Sequence, residues 1–216
     1  MLDKHLVKDI LDALDKLYPN PTTALRYRTP FQLLIATILS AQTTDKQVNK
    51  VTEVLFKDYG TVQKMHDMSL QQLQQYIKGC GLYKTKAKNI KKTCEMIIEK
   101  FNGRVPDDLE QLQKLPGVGR KTANVVLSNA FGKDAIAVDT HVFRVANRIG
   151  LANSKSVLET EKQLMKNIPK DKWSKAHHWL IYHGRNICKA RNPLCNQCPI
   201  KDMCSYYKNE SISTQE

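Results

Sequence analysis

The 216-residue sequence has no apolar run long enough to span a membrane. Its opening stretch, MLDKHLVKDILDALDK, intersperses acids among the apolar positions and has no apolar h-region, so neither a secretory signal nor a transit peptide is expected. Period-two alternation is nearly absent, with 135–138 as the one stretch that could carry it. That excludes a sheet-based fold and leaves an all-α reading. Low-complexity segments and long internal repeats are missing too. Acid is scarce beside base: 34 Lys and Arg face 21 Asp and Glu, for a formal net charge of +13. Such a balance points to nucleic acid or another anionic surface without choosing between them. A chain this long buries roughly 70% of its unfolded surface and needs no disulfides. Without a signal segment, the six cysteines read as metal or cluster ligands.

What is present is helical spacing. Residues 2–18 carry Leu6, Ile10, Leu14 and Leu17 on one face, and Pro19-Asn20-Pro21 ends that helix. Pro30 suits the first turn of a second helix, whose Phe31, Leu34, Ile35, Ile38 and Leu39 make a broad apolar face. Asp45 is expected to cap a third helix bearing Val48, Val51 and Leu55. Shorter spacing at Leu70, Leu73 and Ile77 precedes a Gly79-Cys80-Gly81 turn. A helix with Ala87, Ile90, Cys94, Ile97, Ile98 and Phe101 follows and stops at Asn102-Gly103. Residues 78–104 hold eight Lys or Arg against two Glu, a face suited to phosphate. Ser156 and Glu159 offer a capping box for a helix with Leu158, Glu161, Leu164 and Ile168 on related positions. Trp173 to Tyr182 is the last long helix predicted, with Trp173, Ala176, Trp179 and Leu180 as core; the last dozen residues read as loose.

The centre of the chain is 115–141. Leu109, Leu112 and Leu115 line a short helix that Pro116-Gly117-Val118-Gly119 breaks. A second helix starts at about Arg120, with Ala123, Val126 and Leu127 inward. The backbone N–H groups of this turn lie at a helix N-terminus, which favours an anion such as phosphate. Lys121 in the first turn is open to two readings. It is either a phosphate contact or a nucleophilic amine, freed of its proton by the positive helix end and a desolvated pocket. Asp139 opens the next helix and is either its N-cap or a catalytic carboxylate.

Cys188, Cys195, Cys198 and Cys204 follow C-x6-C-x2-C-x5-C. Structural zinc usually draws on two separated C-x2-C pairs. Only one such pair occurs here, and Pro199 follows the third cysteine, so the spacing favours a [4Fe–4S] cluster on four thiolates. Lys189 and Arg191, between the first two ligands, are either phosphate contacts or solvated charges. Cys80 and Cys94 fall outside the pattern as a turn and a core residue.

Taken together, LPGVGRKTANVV at 115–126, VDTHVFRVANRIG at 138–150, LSAQTTD at 39–45, GLYKTKAKNI at 81–90 and the cysteine set resemble the helix-hairpin-helix, Gly/Pro-Asp superfamily of DNA glycosylases, and most closely endonuclease III. The resemblance covers nearly the whole chain. It implies two helical lobes. One is 22–133, with the helix-hairpin-helix at about 107–130. The other joins 1–21 to 134–211 and includes the cluster loop at 188–204; 212–216 is a loose tail. It further implies a DNA cleft between the lobes, with Lys121 on one side and Asp139 on the other. Gly117, Val118 and Gly119 would grip phosphate.

By the same resemblance the chain is a monomeric, bifunctional glycosylase and abasic-site lyase of base excision repair. Its partner would be double-stranded DNA holding an oxidised pyrimidine or an abasic site, met in the cytoplasm at the nucleoid. Such an enzyme flips the damaged nucleotide out. Gln42 and Leu82 would fill the hole; without the family they read as a polar loop and a core residue. Asp45 and His141 are second-tier candidates for proton transfer or DNA contact. The cluster's part would be structural, because neither bond-breaking step needs an electron. Two other readings compete. An adenine-mismatch glycosylase of the superfamily lacks a lysine at the position of Lys121 and carries a further C-terminal domain. A non-catalytic iron–sulfur DNA-binding module would have no use for Asp139, and a plain ferredoxin none for the hairpin.

Overall fold

The structure, a computed structural model, describes residues 3–213, with side chains through Asn209. Twelve α-helices account for most of these residues, and no strand occurs among them. In order they are α1 (Lys4–Leu17), α2 (Pro30–Ser40), α3 (Asp45–Tyr59), α4 (Val62–Asp67), α5 (Leu70–Ile77), α6 (Tyr83–Phe101), α7 (Leu109–Gln113), α8 (Arg120–Ala130), α9 (Thr140–Ile149), α10 (Val157–Asn167), α11 (Trp173–Asn186) and α12 (Ser205–Ser213). No described helix is long and apolar enough to cross a membrane. The chain divides into two compact units: Thr23–Lys133, and Met1–Thr22 joined with Asp134–Glu216.

Most helix starts are written in the sequence as a hydroxyl or carboxylate. Asp3, Thr29, Thr61, Asp108 and Asp139 each accept a bond from a first-turn backbone N–H. Two capping expectations change. Thr44, not Asp45, caps α3, because its hydroxyl reaches Gln47 N–H; Asp45 is the first helical residue. The reciprocal capping box forms at Ser69 and Gln72. Ser156 supplies its own half by accepting from Glu159 N–H, but the Glu159 carboxylate is drawn to Gln163 one turn on.

The unit Thr23–Lys133 is built around α2, buried on every side from Phe31 to Leu39. A helix apolar all round is a core helix. α3, α6 and α8 pack on it; α4 and α5 lie on α6; α7 and α8 form the hairpin. The other unit centres on α9 and α11, with α1, α10 and α12 added around them. Its core includes Ile10, Leu14, Val142, Val145, Trp179 and Leu180. On α1 the inward stripe is Val7, Ile10, Leu11 and Leu14, while Leu17 in the last turn is exposed. On α10 it is Thr160, Glu161 and Leu164, which turns Leu158 outward.

Residues 135–138 are extended and buried, but they pair with a side chain instead of a strand. The Ala137 carbonyl accepts from His177 Nδ1–H at 2.6 Å. α11 runs on to Asn186, past the expected end at Tyr182. α12 replaces the expected loose end: 212 and 213 are helical, and 214–216 lie outside the described residues.

α11 also buries His178, whose ring is held neutral: burial first, and then the His177 charge, lower its pKa from 6.5 to about 3. The unfolded chain takes up that proton below about pH 6.5 and the folded chain does not, so stability falls as pH drops from 6.5 towards 3. Urea midpoints read across that range should decline with acid, and His178→Gln should flatten the decline.

Candidate active site and cluster loop

The hairpin turn depends on one glycine. Gly117 has φ +79°, and a Cβ there would stand 3.0 Å from the Asn89 side-chain amide, so an L side chain is opposed by both backbone and neighbour. Gly119, the N-cap of α8, supplies no side chain to the first-turn N–H groups, and nothing lies within 4 Å of where its Cβ would be. An approaching phosphate therefore meets bare backbone donors. Val118, between Gly117 and Gly119, differs in its surroundings. Its side chain is in the core and its N–H donates to the Leu115 carbonyl at 3.1 Å.

Lys121 stands in the first turn of α8 and is exposed.

Asp139 caps α9 with one oxygen. Oδ1 accepts from His141 N–H at 2.9 Å and Val142 N–H at 2.8 Å, while Oδ2 has no partner among the described residues. The capping reading is thus correct, and it leaves one oxygen of a fixed carboxylate for other work. His141 is half-buried, with Nδ1 accepting from Arg144 Nη2 at 3.3 Å. Asp45 is half-buried at the start of α3.

Gln42 and Leu82 share an unusual backbone. Their φ values are +55° and +58°, the left-handed region that costs a non-glycine residue about 1–3 kcal/mol and that clusters at functional sites. Leu82 is 60% exposed, which rules out the core-packing reading. Gln42 is also exposed. The two turns touch through Gly81 N–H, which donates to Thr43 Oγ1 at 3.1 Å. The basic stretch after them is partly spent inside the protein. Lys86 is buried, and Lys91 donates to the His66 and Met68 carbonyls, so neither is available to phosphate.

The four cysteines of 188–204 line one pocket, together with Ile149 and His183. No three His, Cys, Asp or Glu among the described residues converge on a single ion. Four thiols lining one pocket are the ligand set that a [4Fe–4S] cluster takes. Burial, and then the like charge of the other three, push the Cys198 thiol up to about 11. Two arginines that the sequence reading missed bind the loop to α9. Arg144 donates to the Cys188 and Gly184 carbonyls at 2.9 to 3.2 Å. Arg148 donates to the Lys189 and Ala190 carbonyls, and its guanidinium lies 4.7 Å from the Tyr206 ring centre. Their spacing of one helical turn is the signal that could have found them. Lys189 and Arg191 are left exposed on this anchored loop.

Comparison with known proteins adds to this geometry. The profile described as "HhH-GPD superfamily base excision DNA repair protein" matches residues 35–170. That described as "Iron-sulfur binding domain of endonuclease III" matches 188–204. Endonuclease III of Haemophilus influenzae is 54% identical over 198 residues, covering 92% of this chain and 94% of that protein. The chain belongs to the endonuclease III family. Endonuclease III of Rickettsia felis is 50% identical over 213 residues, 98% of this chain and 100% of its own length. Among solved structures, a trapped endonuclease III–DNA covalent intermediate superposes with a TM-score of 0.91 at 51% identity, covering 98% of this chain and 100% of that one. With the family come base excision repair, double-stranded DNA as partner, an iron–sulfur cluster, and the activity of a bifunctional DNA glycosylase and abasic-site lyase.

Proposed function

We propose that Lys121 is the nucleophile of both steps and that Asp139 assists it, on duplex DNA carrying an oxidised pyrimidine or an abasic site. The supporting observation is an exposed amine one residue inside the uncapped N-terminus of the hairpin's second helix, in a chain 51% identical to an endonuclease III caught covalently on DNA. Phosphate binding at the Gly119 backbone would bring the amine to the sugar. Duplex contact would then remove the water that surrounds it in the free protein.

The Lys121 amine attacks the sugar carbon C1′, and the glycosidic bond breaks with its electron pair leaving on the base. The lysine gives up its proton and the sugar ring opens to a Schiff base. Loss of a proton from C2′ then expels the 3′ phosphate by β-elimination, and water releases the lysine. Asp139 offers Oδ2 to the positive charge growing on the sugar and assists proton transfer. His141 and Asp45 stand as second-tier groups for the C2′ proton. Gln42 and Leu82 fill the hole left by the flipped nucleotide, and Lys189 and Arg191 hold phosphate. Cys188, Cys195, Cys198 and Cys204 hold the cluster, which supplies no electron to either step and pins their loop. Because the substrate is the chromosome, the protein acts in the cytoplasm at the nucleoid.

Borohydride added to wild-type protein on an abasic duplex should yield a stable protein–DNA adduct. A protein that nicks the duplex with no adduct formed would rule out the amine route.

A further inference from the structure

Lys86 is a lysine in the wrong place for solvation. It is 5% exposed, on the face of α6 that buries Ala87, Ile90 and Cys94. Its ammonium has three donors, and three acceptors meet them. They are the Leu39 carbonyl at 2.7 Å, the Ala41 carbonyl at 2.6 Å and Thr43 Oγ1 at 3.1 Å. The two carbonyls lie at the end of α2, where the last C=O groups lack helical partners and the dipole favours a cation. Thr43 Oγ1 in turn accepts the Gly81 N–H. One ammonium thus joins the end of α2, the turn bearing Gln42, and, through Thr43, the turn bearing Leu82.

The join is close. A Cβ on Gly81 would lie 3.2 Å from the Gln42 carbonyl, a tight contact that would push the two turns apart by a few tenths of an ångström. Both turns hold their exposed side chain by a left-handed residue, a conformation that persists only where surrounding contacts over-determine it. Nothing about core packing calls for a lysine here. Burying its charge is costly, and an apolar side chain of similar length would fill the same space. Cys80, whose charge couples to that of Lys86, is itself buried, and that burial raises the thiol's pKa.

We propose that Lys86 is a positioning residue, holding Gln42 and Leu82 in register so that both enter the duplex together. The inference rests on the reading of those two residues as fillers of the vacated site. It goes beyond that reading by naming what fixes their spacing.

The test uses the full-length, cluster-loaded protein and a duplex with a stable tetrahydrofuran abasic analogue, 2-aminopurine opposite it, and an end label. Label anisotropy reports binding. The rise in 2-aminopurine fluorescence at saturation reports unstacking of the opposite base by insertion. Lys86→Met should keep the binding curve and lose the fluorescence rise. Its excision of an oxidised pyrimidine should fall about ten- to a hundredfold, as expected when reacting groups are displaced by about 1 Å. A wild-type fluorescence rise in Lys86→Met overturns the proposal. So does a parallel loss of binding and fluorescence, because a merely structural lysine would move both. If far-UV circular dichroism shows Lys86→Met unfolded, Thr43→Val carries the same test, since it keeps the two Lys86–carbonyl contacts and removes the hydroxyl that links Lys86 to Gly81. Gln42→Ala and Leu82→Ala are run alongside. A full fluorescence rise in both would remove the filler reading itself, an outcome distinct from failure of Lys86→Met alone.

Discussion

Lys121→Gln is expected to abolish borohydride trapping on abasic DNA while leaving duplex binding within a few-fold of wild type. Gln is close to lysine in length and lacks a nucleophilic nitrogen. The proposed phosphate grip uses backbone donors, which the substitution leaves in place, and the turn is set by Gly117. Lys121 is exposed, so no packing is lost and the melting temperature should stay put. The lyase rate should fall by roughly 10⁵-fold or more, the scale of effective concentration lost when a tethered reactant is removed. Gel mobility of the adduct, strand cleavage and equilibrium binding read these three quantities separately. An undiminished adduct in the variant would take Lys121 out of the role. Loss of binding in proportion to cleavage would return it to the simpler role of a phosphate contact.

Asp139→Asn should slow base release by roughly 10²–10⁴-fold, the range for a positioned acid–base group, without unfolding the protein. Oδ1 does structural work here, accepting the His141 and Val142 N–H groups. The amide oxygen of Asn can do the same, since Asn and Asp rank together as N-caps. The negative charge goes, and with it the stabilisation of a cationic sugar. Asp139→Ala separates the two functions, because it also loses the cap at a cost of about 1 kcal/mol. Release of a thymine glycol from duplex DNA, set beside the melting temperature, distinguishes the outcomes. If Asn and Ala variants lose stability and activity in step, Asp139 is a cap and nothing more.

Several functional groups were already legible along the chain. The hairpin was visible because Pro and Gly punctuate it, and the all-α class because apolar residues recur at helical spacing. The cluster was visible because its four ligands lie within a single loop. Local patterns of this kind need only neighbours in sequence. The same information misplaced details set by the ends of contacts. Leu17 and Leu158 read as inward positions but face outward. Asp45 reads as a cap that Thr44 provides. Gln42 and Leu82 rested on family resemblance alone, because a left-handed backbone leaves no mark on a Gln or a Leu.

The sequence by itself determined which chemistry is available: an amine at a helix start, a carboxylate at the next, four thiols and an excess of positive charge. Tertiary structure alone decided how each is used, because burial and partner choice depend on residues far apart in the chain. Lys86 and Lys121 are identical in composition. One is enclosed by carbonyls from more than forty residues away and the other faces water, and no local pattern in the sequence separates the two.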